Sequence, residues 1–454
     1  MLIFILLLTL ITYSQAWRCG FVSDDVSGIK DFNGKLLIKS QGFINAVMDS
    51  LWFKICKKVA WRWHLVLLAY HLISVIIMFY FTKGLFGKQI AFVATSLFAI
   101  HPCNNQGSIW LSGRHYAIGA WLMMGAYMLA KTPFFLGLWG MGAFLHPQGA
   151  ILPLILLLTK PGWLFLAYCG LILTILPYYI KWLNRRLDLF KWDRRLTGWK
   201  PKRINMLIKV MAYYLGMAFV PFHTGFYHQK LFAYHPELDN FNIKAVLGLC
   251  GLMLWGWLAV ISRHIIPGIY FGLVWFFLFL IPCINIIHNN MMFSERYMYV
   301  PLVGFCIALG SMLILLPHWP IVFAVILTLY CVRTASYILA YQDNFTLWTT
   351  NIRNHPLSLE AHINHGDLLL KSGRSDLALP IFERATQIEP TSEIAWFNLG
   401  SAQANLGYVQ EAEKCWLKAI ELNPKYINPR YNLMRMKEEL KKRGWKEVAV
   451  GVGV

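Results

Sequence analysis

Residues 62–80 read Arg62-Trp63-His64-Leu65-Val66-Leu67-Leu68-Ala69-Tyr70-His71-Leu72-Ile73-Ser74-Val75-Ile76-Ile77-Met78-Phe79-Tyr80, an apolar run with its formal charge at one edge. A helix needs about 20 mostly apolar residues to cross the hydrocarbon core of a bilayer, because it rises about 1.5 Å per residue and satisfies its own backbone groups. This run has that length. Comparable runs flank it at 1–17, 89–103, 116–130, 133–159, 162–180, 207–222, 243–262, 268–288, 299–316 and 318–340. The expectation is an all-α, multi-pass membrane helix bundle of about 11 spans in residues 1–342. Composition agrees: 57% of the 454 residues are hydrophobic and 14% are charged, where soluble domains carry about 25% charge.

The first run lacks a basic start and a clear small-residue cleavage site, so it reads as a retained span, with a signal peptide as the alternative. The run 133–159 contains His146-Pro147. It reads as one broken helix covered by its neighbours, or as two short helices. Nine cysteines form no CxxC pair and read as buried small hydrophobes.

Lysine and arginine number 42 against 22 aspartates and glutamates, a net charge of +20. Such an excess can mark a nucleic-acid surface. Here nine acids fall in residues 1–342 and thirteen in the last 112, so an acid-poor membrane part precedes a conventional polar part. No nucleic-acid partner is expected. The basic loop 181–203 and the turns at Lys83/Lys88, Lys131 and Arg263 assign the cytoplasmic side. With eleven spans the N-terminus lies inside and the C-terminal part outside, although loop 18–61, also placed outside, is itself basic. Within that loop, residues 41–59 mix Phe43, Ile44, Val47, Leu51, Trp52, Phe53 and Ile55 with Asp49, Lys54, Lys57 and Lys58. Two readings stand: a helix lying in the interface plane, or a surface helix packed on the bundle.

Beyond residue 342 a period emerges. Pro356, Pro390 and Pro424 are spaced by 34, as are Gly366 and Gly400, Gly373 and Gly407, Ala378 and Ala412, and Ala385 and Ala419. Thirty-four residues is the tetratricopeptide period, a helical pair stacked into an α-solenoid. Phe382 matches Trp416, and Trp396 with Leu399-Gly400 fits the first-helix signature. Two full repeats are expected at about 359–390 and 393–424, within a domain 343–440 that begins with a half repeat and ends with a closing helix. Residues 441–454 form a tail. Such a stack serves peptide or protein contact through its concave face, or acts as a structural cap.

Polar residues at the ends of apolar spans need a reason. Asp24 and Asp25 follow the first run in Phe21-Val22-Ser23-Asp24-Asp25. Adjacent carboxylates repel, which raises the proton affinity of one and suits a general base. A divalent metal site and an ordinary acidic turn are the other readings. His101-Pro102, Asn104-Asn105-Gln106 and Ser112-Gly113-Arg114-His115-Tyr116 form a turn that offers imidazoles and a guanidinium. Arginine grips phosphate bidentately, so the turn suits an anionic lipid headgroup, specific or bulk. Ser294-Glu295-Arg296-Tyr297 carries the one acid between Asp239 and Asp343. It reads as a substrate-orienting pair or a structural ion pair. His223, His228 and His235 are candidate headgroup contacts, and His146 either lines a cavity or packs. No P-loop, Rossmann glycine pattern, HExxH or GxSxG is present, which argues against ATP-driven transport and zinc-peptidase chemistry.

These pieces in order resemble one family. Phe21-Val22-Ser23-Asp24-Asp25 is similar to its acidic first-loop motif, and Phe98-Ala99-Ile100-His101-Pro102 with Ser112-Gly113-Arg114 to its third-helix exit. Leu280-Ile281-Pro282-Cys283-Ile284-Asn285 and Ser294-Glu295-Arg296-Tyr297-Met298-Tyr299-Val300-Pro301 resemble its late-helix motif, with repeats after the last span. The family is that of the transmembrane-and-tetratricopeptide-repeat proteins, protein O-mannosyltransferase-like enzymes of the GT-C glycosyltransferase class. The resemblance covers nearly the whole chain through sparse motifs.

The resemblance implies a membrane transferase that moves a sugar from a polyprenyl-phosphate carrier to an acceptor hydroxyl, Ser or Thr of a protein, on the outer or lumenal face. It implies Asp24 or Asp25 as base of an inverting displacement. Arg114 would grip the donor phosphate, with His101, His115, Glu295, Arg296 and Tyr297 as further substrate contacts. The lipid-linked sugar phosphate is the donor, a divalent metal is an open cofactor, and the repeats are a place for the acceptor. Two departures stand out: only two full repeats, and His146-Pro147-Gln148 where many relatives carry an acid. A non-catalytic scaffold and a lipid-linked-sugar transporter are the alternatives. Compact loops favour a bacterial inner membrane over the endoplasmic reticulum.

Overall fold

A computed structural model of the chain describes residues 1–26, 43–132, 134–145, 147–159, 170, 201–223, 243–284 and 294–442. Every regular element among the described residues is helical. The chain divides into two compact units, Met1–Leu347 and Trp348–Val454.

The first unit contains α1 (Leu2–Thr12), α2 (Phe43–Cys56), α3 (Ala60–Phe86), α4 (Lys88–Ala99), α5 (Arg114–Met128), α6 (Phe134–Leu145), α7 (Leu152–Thr159), α8 (Pro201–Phe219), α9 (Ile243–Ile265), α10 (Pro267–Leu280), α11 (Tyr299–Leu313) and α12 (Trp319–Ile338). Its core is aromatic and aliphatic, built on fully buried Trp275, Phe276, Phe98 and Phe305. Small residues let helices approach where lipid supplies no hydrophobic drive. A Cβ on Gly304 would lie 2.5 Å from the Gly272 carbonyl oxygen, and one on Gly272 would lie 2.4 Å from that of Gly304. Thus α10 and α11 touch backbone to backbone. The turn from α3 to α4 passes through Gly87 at φ +86°.

The expectation of about 11 spans is overturned. Among the described residues four helices are long and apolar enough to cross a membrane: Ala60–Phe86, Gly248–Ile265, Glu295–Leu313 and Trp319–Tyr341. They fall on four of the expected runs. Six other runs, 1–17, 89–103, 116–130, 133–159, 207–222 and 268–288, are apolar but give shorter helices among the described residues. The run 89–103 is helical over Lys88–Ala99 alone, 12 residues or about 18 Å, and stops before His101-Pro102. The run 133–159 is split into α6 and α7 with a 3₁₀ turn Pro147–Ile151 between them. The run 268–288 gives way to a 3₁₀ turn at Pro282. The run 116–130 is a helix of 15 residues, and 1–17 bends into a 3₁₀ turn at Ala16–Arg18. For 207–222, the apolar helix is Leu207–Phe219. Apolar composition reports burial or lipid, and here it does not report helix length. Residues 162–180 (except Gly170), residues 181–200 of the basic loop, and His146, His228 and His235 lie outside the described residues. Several long apolar helices and a C-terminal repeat unit make this an integral, multi-pass membrane protein.

In the second unit the 34-residue period has a physical basis. Helices α14 (Leu359–Lys371) and α15 (Ser375–Ile388) are followed by α16 (Glu393–Asn405), α17 (Val409–Leu422) and α18 (Ile427–Lys442), with α13 (Asn344–Asn354) crossing from the first unit. Ser358 and Ser392 cap α14 and α16, each hydroxyl accepting from the backbone N–H three residues on, at 3.3 Å. Gly373 and Gly407 turn the chain at φ +76° and +85°. Gly366 packs under Phe382 and Gly400 under Trp416, so no Cβ fits at either glycine.

Candidate functional site

The acidic segment is pinned before it is used. The N–H of Gly20 donates to the Tyr341 carbonyl at 3.1 Å, and a Cβ on Gly20 would meet the Gln342 carbonyl oxygen at 2.5 Å. Ser23 sits at φ +52°, a left-handed conformation that a side chain adopts at a cost, and its N–H donates to Asn344 Oδ1 at 2.7 Å. His64 Nε2 lies 3.1 Å from the Gly20 carbonyl. This tight turn points the two carboxylates to different surroundings: Asp24 is exposed and Asp25 is fully buried.

Asp25 Oδ1 accepts two hydrogen bonds from Ser112, one from its N–H at 2.9 Å and one from its hydroxyl at 2.8 Å. Its Oδ2 is buried with no hydrogen-bond partner among the described residues. Burial pushes the carboxyl up to about 7, against the pull of the Ser112 bonds and the Arg114 charge. The turn Leu111–Gly113 that supplies Ser112 is held close: a Cβ on Gly113 would overlap the Gln106 carbonyl.

Arg114 opens α5 and is buried. One guanidinium nitrogen donates to the Leu111 carbonyl at 2.6 Å, and another pairs with Asp49 on α2. The two side chains are 7% and 13% exposed, so the ion pair is shielded from solvent. Burial raises the Asp49 carboxyl, with the charge and hydrogen bond of Arg114 opposing. Asp49 appeared in the sequence only as one polar residue of an amphipathic helix. Its signal was weak: an acid amid lysines, 65 residues before its partner.

Arg296 is half-buried and lies over the Trp110 ring at 4.8 Å and the Tyr297 ring at 5.7 Å. Its backbone N–H and the Ser294 hydroxyl both donate to Gln106 Oε1, at 3.2 and 3.1 Å. Tyr297 faces Tyr116 at 6.1 Å, and Tyr116 faces His115 at 4.2 Å. The 105–114 segment therefore joins the acidic turn to the late motif. Gln148 donates to the carbonyls of Phe279 and Tyr297 at 3.0 and 2.8 Å. A carboxylate could not make those bonds. Gln106, Trp110, Ser112 and Gln148 were visible in the sequence but carried no assigned role.

Glu295 is fully buried. His101 is also fully buried. Its Nδ1 accepts from the Cys103 N–H at 3.2 Å, so Nε2 carries the proton toward the Ala218 carbonyl at 3.0 Å. Both ring nitrogens are thus spent on backbone. Among the described residues no three His, Cys, Asp or Glu side chains gather to hold a metal.

Residues 359–392 and 394–426 each match the tetratricopeptide repeat family. Over 91% of its length the chain is 21% identical to the protein O-mannosyl-transferase TMTC3 of Mus musculus and 20% identical to that of Homo sapiens. It covers 54% of each, so the chain spans about half the length of these relatives. A shorter match, 34% identical over 58 residues, is to the peroxisomal targeting signal receptor of Saccharomyces cerevisiae, covering 13% of this chain and 10% of that one. The chain is a distant relative of the TMTC3-like membrane-and-repeat proteins. The expected bacterial membrane finds no support in these eukaryotic relatives.

Proposed function

We propose that this chain is a membrane glycosyltransferase that moves a sugar from a polyprenyl-phosphate carrier to a hydroxyl of an acceptor, a protein Ser or Thr. The observation that carries the reading is the seating of the acidic pair on the same short segment that holds the half-buried Arg296: Ser112 on one side, Trp110 on the other. The distant relationship to proteins named as O-mannosyl-transferases makes mannose the first sugar to test.

Asp24, exposed beside the buried Asp25, is the base. It takes the acceptor proton as the hydroxyl oxygen forms a bond to the anomeric carbon. The bond from that carbon to the phosphate oxygen breaks, and its electron pair leaves with the phosphate. One displacement inverts the anomeric configuration, so a single base suffices where a hydrolase needs two carboxylates. Asp25 fixes Asp24 through Ser112. Arg296, stacked on Trp110, meets the charge that grows on the leaving phosphate. Arg114, His115 and Tyr297 shape the same region, and His101 and Glu295 support it from the interior. The repeats hold the acceptor polypeptide.

The site lies at the ends of α4 and α10 and the start of α11, toward the Ala60 end of the long helix α3 and at the other end of that helix from Lys83 and Lys88. The positive-inside rule puts those lysines in the cytoplasm and this end of the unit on the extracytoplasmic or lumenal face. The deciding experiment reconstitutes the full chain in liposomes with polyprenyl-phosphate mannose and a Ser/Thr-rich peptide. Transfer should be lost in Asp24→Asn. Full transfer by that variant ends this assignment.

A further inference from the structure

The loop that begins at the acidic pair returns to the same turn it left. Asp25 is bound by Ser112, and Asp49, on the far side of residues 27–42, is bound by Arg114. Only Gly113 separates Ser112 from Arg114 in sequence. Leu111, just before them, lends its carbonyl to Arg114, so the guanidinium braces the turn that presents Ser112. Helix α2 has a further fixed point here, beside the packing of Cys56 with Trp63, Leu67 and Leu111. The Trp52 indole N–H donates to the Tyr70 hydroxyl on α3, with the rings 6.3 Å apart at 76°. Leu51 and Ile55 on the same helix are exposed. The chain then reverses through Lys57 at φ +49° and is tied by the Trp63 indole N–H to the Lys57 carbonyl at 2.8 Å.

We propose that Asp49 is a positioning residue for the acidic pair: its buried ion pair with Arg114 clamps α2 onto the 111–114 turn and so sets where Ser112 holds Asp25. The inference rests on the transferase reading for its catalytic consequence, while the clamp itself does not. A charge pair this shielded is costly to break, because the partner left behind is an uncompensated buried ion. It is also directional, since a guanidinium that bonds a carbonyl and a carboxylate together admits one arrangement of the two. Surface packing of an amphipathic helix would fix α2 less tightly in rotation. The exposed apolar side chains Leu51 and Ile55 show that α2 is not secured by burial on all sides.

The test uses the full chain in nanodiscs and two readouts. Spin labels at the exposed positions Ile55 on α2 and Met128 on α5 report the α2–α5 distance distribution. Transfer kinetics report kcat and the donor KM separately. Asp49→Asn should broaden the distance distribution and lower kcat about tenfold or more with little change in donor KM, as expected when a catalytic group is displaced and not removed. Asp49→Glu keeps the pair and should stay close to the parent in both. The double variant Asp49→Asn/Arg114→Gln removes the stranded charge. It should regain thermal stability while the distribution stays broad and kcat stays low. A narrow distribution in Asp49→Asn overturns the proposal, as does equal damage by Asn and Glu or recovery of kcat in the double variant. If the parent itself transfers no sugar, the transferase reading fails and the distance arm alone decides the clamp.

Discussion

Asp25 and Ser112, 87 residues apart in sequence, share two hydrogen bonds to a single carboxylate oxygen while the other oxygen stays buried without a partner among the described residues. This arrangement stores a pH dependence. The carboxyl titrates near 7 in the folded chain and near 3.9 in an unfolded one. Between those values the folded state holds a proton that the unfolded state has released. Stability therefore falls as pH rises through this window, and the full penalty applies above about 7. Asp25→Asn removes the titration, and its amide oxygen still accepts from Ser112. Whatever the amide costs in packing is the same at every pH. The variant should gain stability relative to the parent between pH 4 and pH 8, by an amount on the order of a few kcal/mol. Thermal unfolding in detergent at the two pH values checks this, and parallel curves for parent and variant would contradict it.

Arg296 over Trp110 makes a second, kinetic prediction. A guanidinium on an indole face gains about 0.5–2 kcal/mol, and the stack also fixes the direction in which the remaining N–H groups point. Arg296→Ala should weaken use of the lipid-phosphate donor strongly, and Trp110→Leu should raise donor KM by roughly 2- to 30-fold, the same energy expressed as an affinity. Acceptor KM should move little in either. Equal changes in donor and acceptor KM would show that the loss is one of folding.

What the sequence disclosed depended on the range of the interaction. The repeats were legible to the residue, because Gly366 under Phe382 and Gly400 under Trp416 are constraints that recur every 34 positions. The acidic pair and the arginine turn were legible as chemistry out of place next to apolar runs. The number of long helices was not legible. Hydropathy sums over Lys88–Ala99 and Pro267–Leu280 without registering that Pro102 and Pro282 end them. Asp49 was hidden for a different reason: an ion pair between distant segments leaves no period and no motif, so only the folded chain reveals that Arg114 is matched.

The backbone contact between α10 and α11 predicts a sharp steric response. Gly304→Ala would place a methyl group 2.5 Å from the Gly272 carbonyl oxygen and 2.6 Å from Trp275 Cβ. The helices must separate, at about 1–3 kcal/mol. Gly119→Ala on α5 meets nothing within 4 Å and should be neutral or mildly stabilising. Unfolding of the two variants in the same detergent separates this packing effect from a general intolerance of glycine replacement.

The repeat glycines fall into two classes that share one period, and a single substitution type distinguishes them. Gly373 and Gly407 are left-handed, at φ +76° and +85°, with open space where a Cβ would go. Their cost on replacement is conformational, about 1–2 kcal/mol for alanine and less for asparagine, which tolerates this region. Gly366 and Gly400 are helical, and their Cβ positions lie 2.5 Å from Phe382 and 2.8 Å from Trp416. Their cost is steric, so asparagine should be worse than alanine. The order of damage should therefore reverse between the pairs: Ala worse than Asn at Gly373, Asn worse than Ala at Gly366. Phe382→Leu shortens the opposing side chain and should recover part of the loss in Gly366→Ala, while doing nothing for Gly373→Ala. Amide hydrogen exchange across α14 to α17 in the full chain reads each case. The same order at both positions would mean that the period reflects one requirement and not two.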